Sequence, residues 1–372
     1  MREDFSLLIK PVSLDCNLRC KYCFYLKKTA LFGCEKHLMS DEILEKMIKS
    51  FLETDLPLYA FSWQGGEPLL SGIDFFKRAV NYMIKYGQGK NIANTLQSNA
   101  VALNDEWADF FREYNFFLGL SLDGPKEYHD LYRVNGNGAG SHDRVLNGIK
   151  ILRKHQVDFN LLSVVTRKTA HQPLECYRYL RDVAGCAFHQ YIECVEFDAA
   201  GKLQEYAVTP ELWGEFWCQL FDEWNQFDRN RVSVRLFDSL LHKLIGSDGG
   251  ACALGDDCRR YLVVEHDGGV YPCDFHVDKQ WRLGNIAEDA LEKIFNSEKY
   301  KSFGIRKSAL AQECIECRYR YLCAGCCPKN RRPGETKSFL CRGWKMFFEH
   351  AETELKNLAC EIINKKTSQQ SQ

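Results

Sequence analysis

The chain's 372 residues, 45% of them hydrophobic, suffice for a sizeable core and about two domains. Its 49 basic and 50 acidic residues leave a net charge of −1, which excludes an overall positive field for nucleic acid or anionic membrane. The first residues, MREDFSLLIKPVSLDC, lack the apolar stretch of a secretory signal, and no run of about 18 apolar residues occurs. A soluble, cytoplasmic protein is expected.

Six short apolar runs read as buried strands: residues 5–12 (FSLLIKPV), 58–63, 92–98, 116–123, 159–166 and 188–195. Amphipathic stretches lie between them, starting at Ser40, Asn104 and Ser141, residue types that cap helices. This alternation argues for a parallel sheet with crossover helices. A full eightfold barrel needs two more units, whereas after residue 200 an aromatic-rich helical stretch follows, PELWGEFWCQLFDEWNQF. The expected fold is α/β: a partial (β/α)6 TIM-type barrel over 1–235, a cysteine-rich metal region over 236–363, and a polar, disordered tail, 364–372.

Eighteen cysteines in a large chain without an export signal point to metal ligands rather than disulfides. Isolated ones such as Cys176, Cys186, Cys194 and Cys218 read as small buried hydrophobes. Cys16, Cys20 and Cys23, spaced C-x3-C-x2-C, fall on the loop leaving the first strand, where parallel barrels build active sites. Three thiolates leave one metal of a four-iron cluster open to substrate or cofactor; a zinc completed by a remote cysteine or histidine is the alternative. Directly after the second strand comes QGGEP, Gln64 to Pro68, whose glycines allow close backbone approach to a ligand and whose Glu67 adds a carboxylate.

Towards the carboxyl end, Cys314, Cys317, Cys323 and Cys327 follow a C-x2-C-x5-C-x3-C pattern, with Cys252, Cys258 and Cys273 before them and Cys341 after. Eight cysteines serve two fully ligated four-iron clusters, or two zinc sites. Cys326 sits beside Cys327, and spacing favours Cys327 as the ligand. His266 and His276 flank Cys273 and read as surface or supporting residues. Neither a G-x-S-x-G elbow nor a Walker-type loop occurs.

The triad, with Tyr22 before its last cysteine, resembles the radical S-adenosylmethionine enzymes. The resemblance implies that S-adenosylmethionine chelates the open iron and is cleaved to a 5′-deoxyadenosyl radical. It further implies that Gly65, Gly66 and Glu67 meet the methionyl amine, Ser121 and Arg133 the nucleoside and carboxylate, and Val195 the adenine. The later cysteines resemble the SPASM extension of peptide-modifying members, which implies interleaved ligand sets: Cys252, Cys258, Cys273 and Cys327 for one cluster, Cys314, Cys317, Cys323 and Cys341 for the other. That makes three [4Fe-4S] clusters in all.

Within that group, SLLIKP, CKYCFY, FSWQGGEPLL, LQSNAVAL, GLSLDGPKEYHDLYR and VYPCDFHVDKQWRLGNI look like anaerobic sulfatase-maturating enzymes along nearly the whole chain. Ala100 departs from the pattern where a glycine commonly follows the asparagine. The implied reaction oxidises a cysteine or serine of a sulfatase polypeptide, unfolded or nascent, to Cα-formylglycine, with a donor such as flavodoxin or ferredoxin. Asp274 matches the position proposed for the general base, its alternative being a hydrogen-bonding support for the cluster. Tyr25 and Gln64 lie where they could line the substrate cavity. A maturase forming thioether or carbon–carbon crosslinks remains as a second enzymatic reading.

Overall fold

The computed structural model describes residues 4–247 and 250–370. The chain divides into two compact units that are discontinuous in sequence. The first comprises residues up to 121, 129–159 and 258–305; the second comprises 122–128, 160–257 and those from 306 on.

In the first unit, β1 (Ser6–Lys10), β2 (Tyr59–Trp63), β3 (Ile92–Ser98) and β4 (Phe116–Ser121) pair parallel in sequence order, with Leu7 opposite Phe61, Phe61 opposite Asn94 and Leu96 opposite Leu118. Leu7, Ile9, Phe61, Trp63 and Leu118 are fully buried, each such side chain contributing about 1.5–3 kcal/mol. The helix Ile73–Tyr86 covers them, its Phe76 meeting Trp63 edge-on at 5.3 Å. Ser40 and Asn104 cap the helices Asp41–Leu52 and Asp105–Glu113, their side chains accepting from Ile43 N and Trp107 N. Ser141 precedes a helix as expected, but its hydroxyl does not cap it; it donates to the Arg133 carbonyl at 2.9 Å.

In the second unit, β5 (Phe159–Val165), β6 (Phe188–Glu193) and the two-residue β7 (Ser233–Val234) also pair parallel. The strand–helix alternation of a parallel α/β fold therefore appears in both units. The aromatic stretch forms the helix Pro210–Glu223, capped by Thr209, and lies against the helix Cys341–Gln370. The two helices approach at glycines: a Cβ on Gly343 would lie 2.1 Å from the Pro210 carbonyl oxygen, and one on Gly214 would lie 3.0 Å from Gly343 Cα. This crossing fixes the start of the long helix, and with it Cys341.

β8 (Tyr261–Glu265) returns to the first unit and pairs parallel with β1, Ser6 opposite Tyr261 through Lys10 opposite Glu265. Leu262, Val263, Val264 and Glu265 are fully buried, and a strand buried in this way must have its backbone groups paired. β9 (Gly269–Tyr271) turns back antiparallel through the DGG turn, and β10 (Gly284–Asn285) adds to β9. Residues 364–370 are not disordered but extend the last helix; 371 and 372 lie outside the described residues. Once the buried part has nucleated the helix, each added residue gains a hydrogen bond, and Ser368 Oγ also donates to the Asn364 carbonyl at 2.9 Å.

Gly343→Ala is expected to destabilise the protein by about 1–3 kcal/mol through overpacking at the helix crossing, seen as a lowered thermal midpoint. An unchanged midpoint would show that the crossing yields freely.

Candidate functional site

The loop after β1 carries Cys16, Cys20 and Cys23, all partly buried. The turn after β2 docks on this loop through its backbone: Gln64 N donates to Ile9 O at 2.8 Å, Gly66 N to Ser13 O at 2.7 Å and Glu67 N to Asp15 O at 2.8 Å. A Cβ on Gly66 would fall 1.9 Å from the Asp15 carbonyl oxygen, and Gly65 has φ +141° with a built Cβ 2.8 Å from Ser13 O. The close approach that these glycines permit is thus first of all to the chain's own cysteine loop.

Glu67 is fully buried. Its carboxylate accepts from Ser98 Oγ (2.8 Å), Asn99 N (2.8 Å) and Leu69 N (3.2 Å). Burial pushes its pKa up to about 7 despite these donors. Asn99 in turn donates through Nδ2 to Asn17 Oδ1 at 2.7 Å and reaches Cys16 Sγ at 3.6 Å. The end of β3 is thereby tied to the triad, and burial, then the Glu67 charge, push the Cys16 thiol up to about 12; a coordinated metal reverses that preference. On the other side, Arg19 N and Lys21 N donate to the carbonyls of Val134 and Tyr132. This brings the buried Arg133 to the loop, with its guanidinium 5.4 Å from the Tyr22 ring. Ser121 ends β4 and accepts from Gln97 Nε2 at 3.2 Å. Val195 lies in the second unit, buried, its carbonyl accepting from Lys329 Nζ at 2.7 Å.

A second group of side chains gathers beside β1. Asp274 is 7% exposed and Lys10 1%. Lys10 Nζ lies 2.5 Å from Asp274 Oδ1, a charge contact without hydrogen-bond alignment. Gln64 Nε2 donates weakly to Oδ2 at 3.5 Å. The same ammonium sits 4.5 Å over the Tyr25 ring. Tyr25 is buried and donates its hydroxyl to the Glu265 carboxylate; burial, then that neighbouring charge, hold its pKa well above the ordinary range. Gln64 therefore faces Asp274, whereas Tyr25 is turned to Glu265. Lys10, Ser98, Asn99 and Glu265 are absent from the sequence-derived site. The available signal was a lysine within the apolar run SLLIK and a glutamate ending YLVVE.

In the second unit, Cys314, Cys317, Cys323 and Cys341 line one cavity with Tyr319, Trp344 and Phe348, and Cys326 joins them. Cys327 is not among its lining residues. Lys307 Nζ donates to the Cys252 carbonyl at 2.9 Å, while in the first unit Tyr261 Oη lies 3.6 Å from Cys273 Sγ and Cys258 is partly buried. Among the described residues no three metal-binding side chains converge as on a single ion. A four-iron cluster instead takes its thiolates on separate irons, and the cavity, walled by five cysteines, supplies the four that this group needs.

Residues 11–180 match the family model described as the radical SAM superfamily, and 256–318 match an iron–sulfur cluster-binding domain. The chain is 36% identical to a serine-type anaerobic sulfatase-maturating enzyme of Bacteroides thetaiotaomicron, over 97% of this chain and 92% of that one. It is 37% identical to a cysteine-type enzyme of Clostridium perfringens, over 96% and 99%. The chain belongs to the anaerobic sulfatase-maturating enzymes. In agreement, the solved structure of native anSMEcpe with bound AdoMet superimposes with a TM-score of 0.88 at 36% identity, covering 96% of this chain and 99% of that one. Streptococcus suis SuiB, at 16% identity and a TM-score of 0.64, shares the fold. Among the described residues no helix is long and apolar enough to cross a membrane.

Lys10→Met leaves Asp274 as a buried charge without its partner and is expected to cost about 3–5 kcal/mol, measured by denaturant unfolding, with Lys10→Arg recovering most of the loss. A loss below about 1 kcal/mol would show that the pair is solvated. Burial also raises the folded-state pKa of Glu67 above its unfolded value, so the ionised carboxylate opposes folding. Its contribution falls as pH rises from about 4.5 through about 7, and Glu67→Gln should flatten that window in pH-resolved unfolding of the cluster-free chain.

Proposed function

We propose that this protein oxidises a cysteine or serine in a sulfatase polypeptide to Cα-formylglycine. The observation that carries this reading is Asp274, next to a cysteine of the cluster-ligand pattern and held between Lys10 and Gln64 at the end of β1. In this reading Cys16, Cys20 and Cys23 hold the first cluster and leave one iron for S-adenosylmethionine. Cys252, Cys258, Cys273 and Cys327 hold a second cluster, and Cys314, Cys317, Cys323 and Cys341 a third. When bound, these groups supply the electron that cleaves S-adenosylmethionine to the radical, the hydrogen-atom abstraction from the target β-carbon, and the outlet for the second electron.

The chain's own residues do the rest. Gly65, Gly66 and Glu67 present the turn that meets the methionyl amine, braced from behind because Glu67 is spent on Ser98 and Asn99. Arg133, steadied over Tyr22, meets the carboxylate, Ser121 the nucleoside and Val195 the adenine. Asp274 accepts the thiol or hydroxyl proton of the target. Lys10 holds one carboxylate oxygen and leaves the other towards Gln64, whose amide orients the target side chain. Tyr25 shapes the site through Lys10 and Glu265. We infer a cytoplasmic enzyme, served by a low-potential donor such as flavodoxin or ferredoxin.

The test is anaerobic incubation of reconstituted protein with S-adenosylmethionine, dithionite and two peptides of the form Cys/Ser-x-Pro/Ala-x-Arg, differing only at the target. Mass spectrometry should show the aldehyde with at least one peptide. A two-hydrogen loss without aldehyde would replace the reading by crosslink formation. Cys20→Ala should abolish 5′-deoxyadenosine, and Asp274→Asn should keep it while losing formylglycine by a factor of about 10² or more; full aldehyde from the latter variant would remove Asp274 as the base.

A further inference from the structure

Five cysteines, rather than four, face the cavity at the start of the last helix: Cys314, Cys317, Cys323 and Cys341, and also Cys326. Cys326 is 4% exposed and has φ +55°. It ends a run of three left-handed residues after Ala324 (φ +45°) and Gly325 (φ +75°). Glycine is the default in that region, and a side chain there is costly. The curl is closed by Cys326 N donating to the Cys323 carbonyl at 2.7 Å, and the two cysteines line the same cavity. Gly325 is locked in turn, since a Cβ on it would lie 2.4 Å from Leu310 Cδ2. A residue held in a disfavoured conformation persists only where its surroundings impose it, and such residues collect at functional sites.

We propose that Cys326 is a positioning residue for the cluster of this cavity: it is not a ligand, but donates its S–H to the sulfur of Cys323. This rests on reading the cavity as a four-iron site. Four irons are fully served by Cys314, Cys317, Cys323 and Cys341, so the fifth thiol keeps its proton. A hydrogen bond to a coordinating sulfur stabilises the extra negative charge of the reduced cluster and so raises its reduction potential. Cys326 thereby makes this cluster a better acceptor for the electron released when the target residue is oxidised. No bond is made or broken, and the donor is unchanged between oxidation states.

The experiment is an anaerobic redox titration, followed by electron paramagnetic resonance, of full-length reconstituted protein without peptide. Parent, Cys326→Gly and Cys326→Ser are compared, each also with Cys16, Cys20 and Cys23 changed to Ala to remove the first cluster's signal. Glycine suits the backbone at this position, so the thermal midpoint of Cys326→Gly should not fall. Iron and sulfide should equal the parent in both variants. One auxiliary signal should become harder to reduce in Cys326→Gly, by about tenfold in the reduction equilibrium, which is 59 mV for a one-electron couple. Cys326→Ser, whose hydroxyl still donates, should stay nearer the parent. An unchanged potential at full iron content would make Cys326 a mere filler, and loss of one cluster's iron would make it a ligand; either overturns the proposal. A parent with no cluster in this cavity would instead overturn the underlying reading, and its iron content would show this directly.

Discussion

The addition of β8 to the free edge of β1 is the constraint on which the first unit's site depends. Five residues pair in parallel register, and the last pair sets Lys10 beside Glu265. The chain then turns through β9 and reaches Cys273 and Asp274 within reach of the same lysine. A slip of one residue would turn Lys10 to the opposite face of the strand and part it from Asp274. Register is therefore fixed twice: by the apolar side chains of Leu262, Val263 and Val264, and by a charge pair that only one register satisfies.

The electrostatics of this group are balanced by proximity rather than by solvent. Lys10 brings one positive charge to two buried carboxylates, Asp274 directly and Glu265 through Tyr25. The Tyr25 hydroxyl gives Glu265 a donor without adding charge. A buried ion pair of this kind is weak evidence of stability, since apolar residues of equal volume often do as well. Its use here is positional, because a carboxylate held at one oxygen presents the other in a defined direction. The Glu67 carboxylate answers a different need. All its donors come from the chain, so it binds the ends of β2 and β3 together beneath the cysteine loop instead of facing outward.

Much of this was legible in the amino-acid sequence, for physical reasons that also explain what was not. The strands of the parallel sheet announce themselves as apolar runs bounded by helix caps, because a strand buried on both faces can hardly be written otherwise. The triad is legible because thiolate spacing is chemistry as well as structure, whereas the grouping of Cys341 with Cys314, Cys317 and Cys323 was implied by the family resemblance and not by spacing, which placed Cys327 with them. The partnership of β8 with β1 is not, since YLVVE carries no mark of which edge it will join across some 250 residues. The glycines of QGGEP show that the chain comes close to something, but not that the something is its own Ser13–Asp15 backbone. The last helix was missed because its exposed end, KKTSQQ, is polar on every side, and its helicity is inherited from the buried turns before it.

Among the described residues, the non-glycine residues at positive φ are Asn115 and Gln156, which follow helix ends, and Ser13, Ala100, Ala324 and Cys326, which lie in loops near cysteines. Ser13 at φ +50° offers the carbonyl that receives Gly66 N, and Ala100 at φ +61° follows the Asn99 that links Glu67 to Cys16. Ala100 occupies a conformation that glycine would adopt without cost, and it is held there by Ser98 Oγ accepting from its N–H at 2.9 Å. That hydroxyl also donates to Glu67. A single carboxylate thus sustains a strained turn, and the turn keeps Asn99 against the first cysteine. The same economy appears in the second unit, where a left-handed curl over Ala324, Gly325 and Cys326 turns a fifth sulfur into a cavity that four already line. In both units, disfavoured backbone is the means by which distant loops are brought to bear on a thiol.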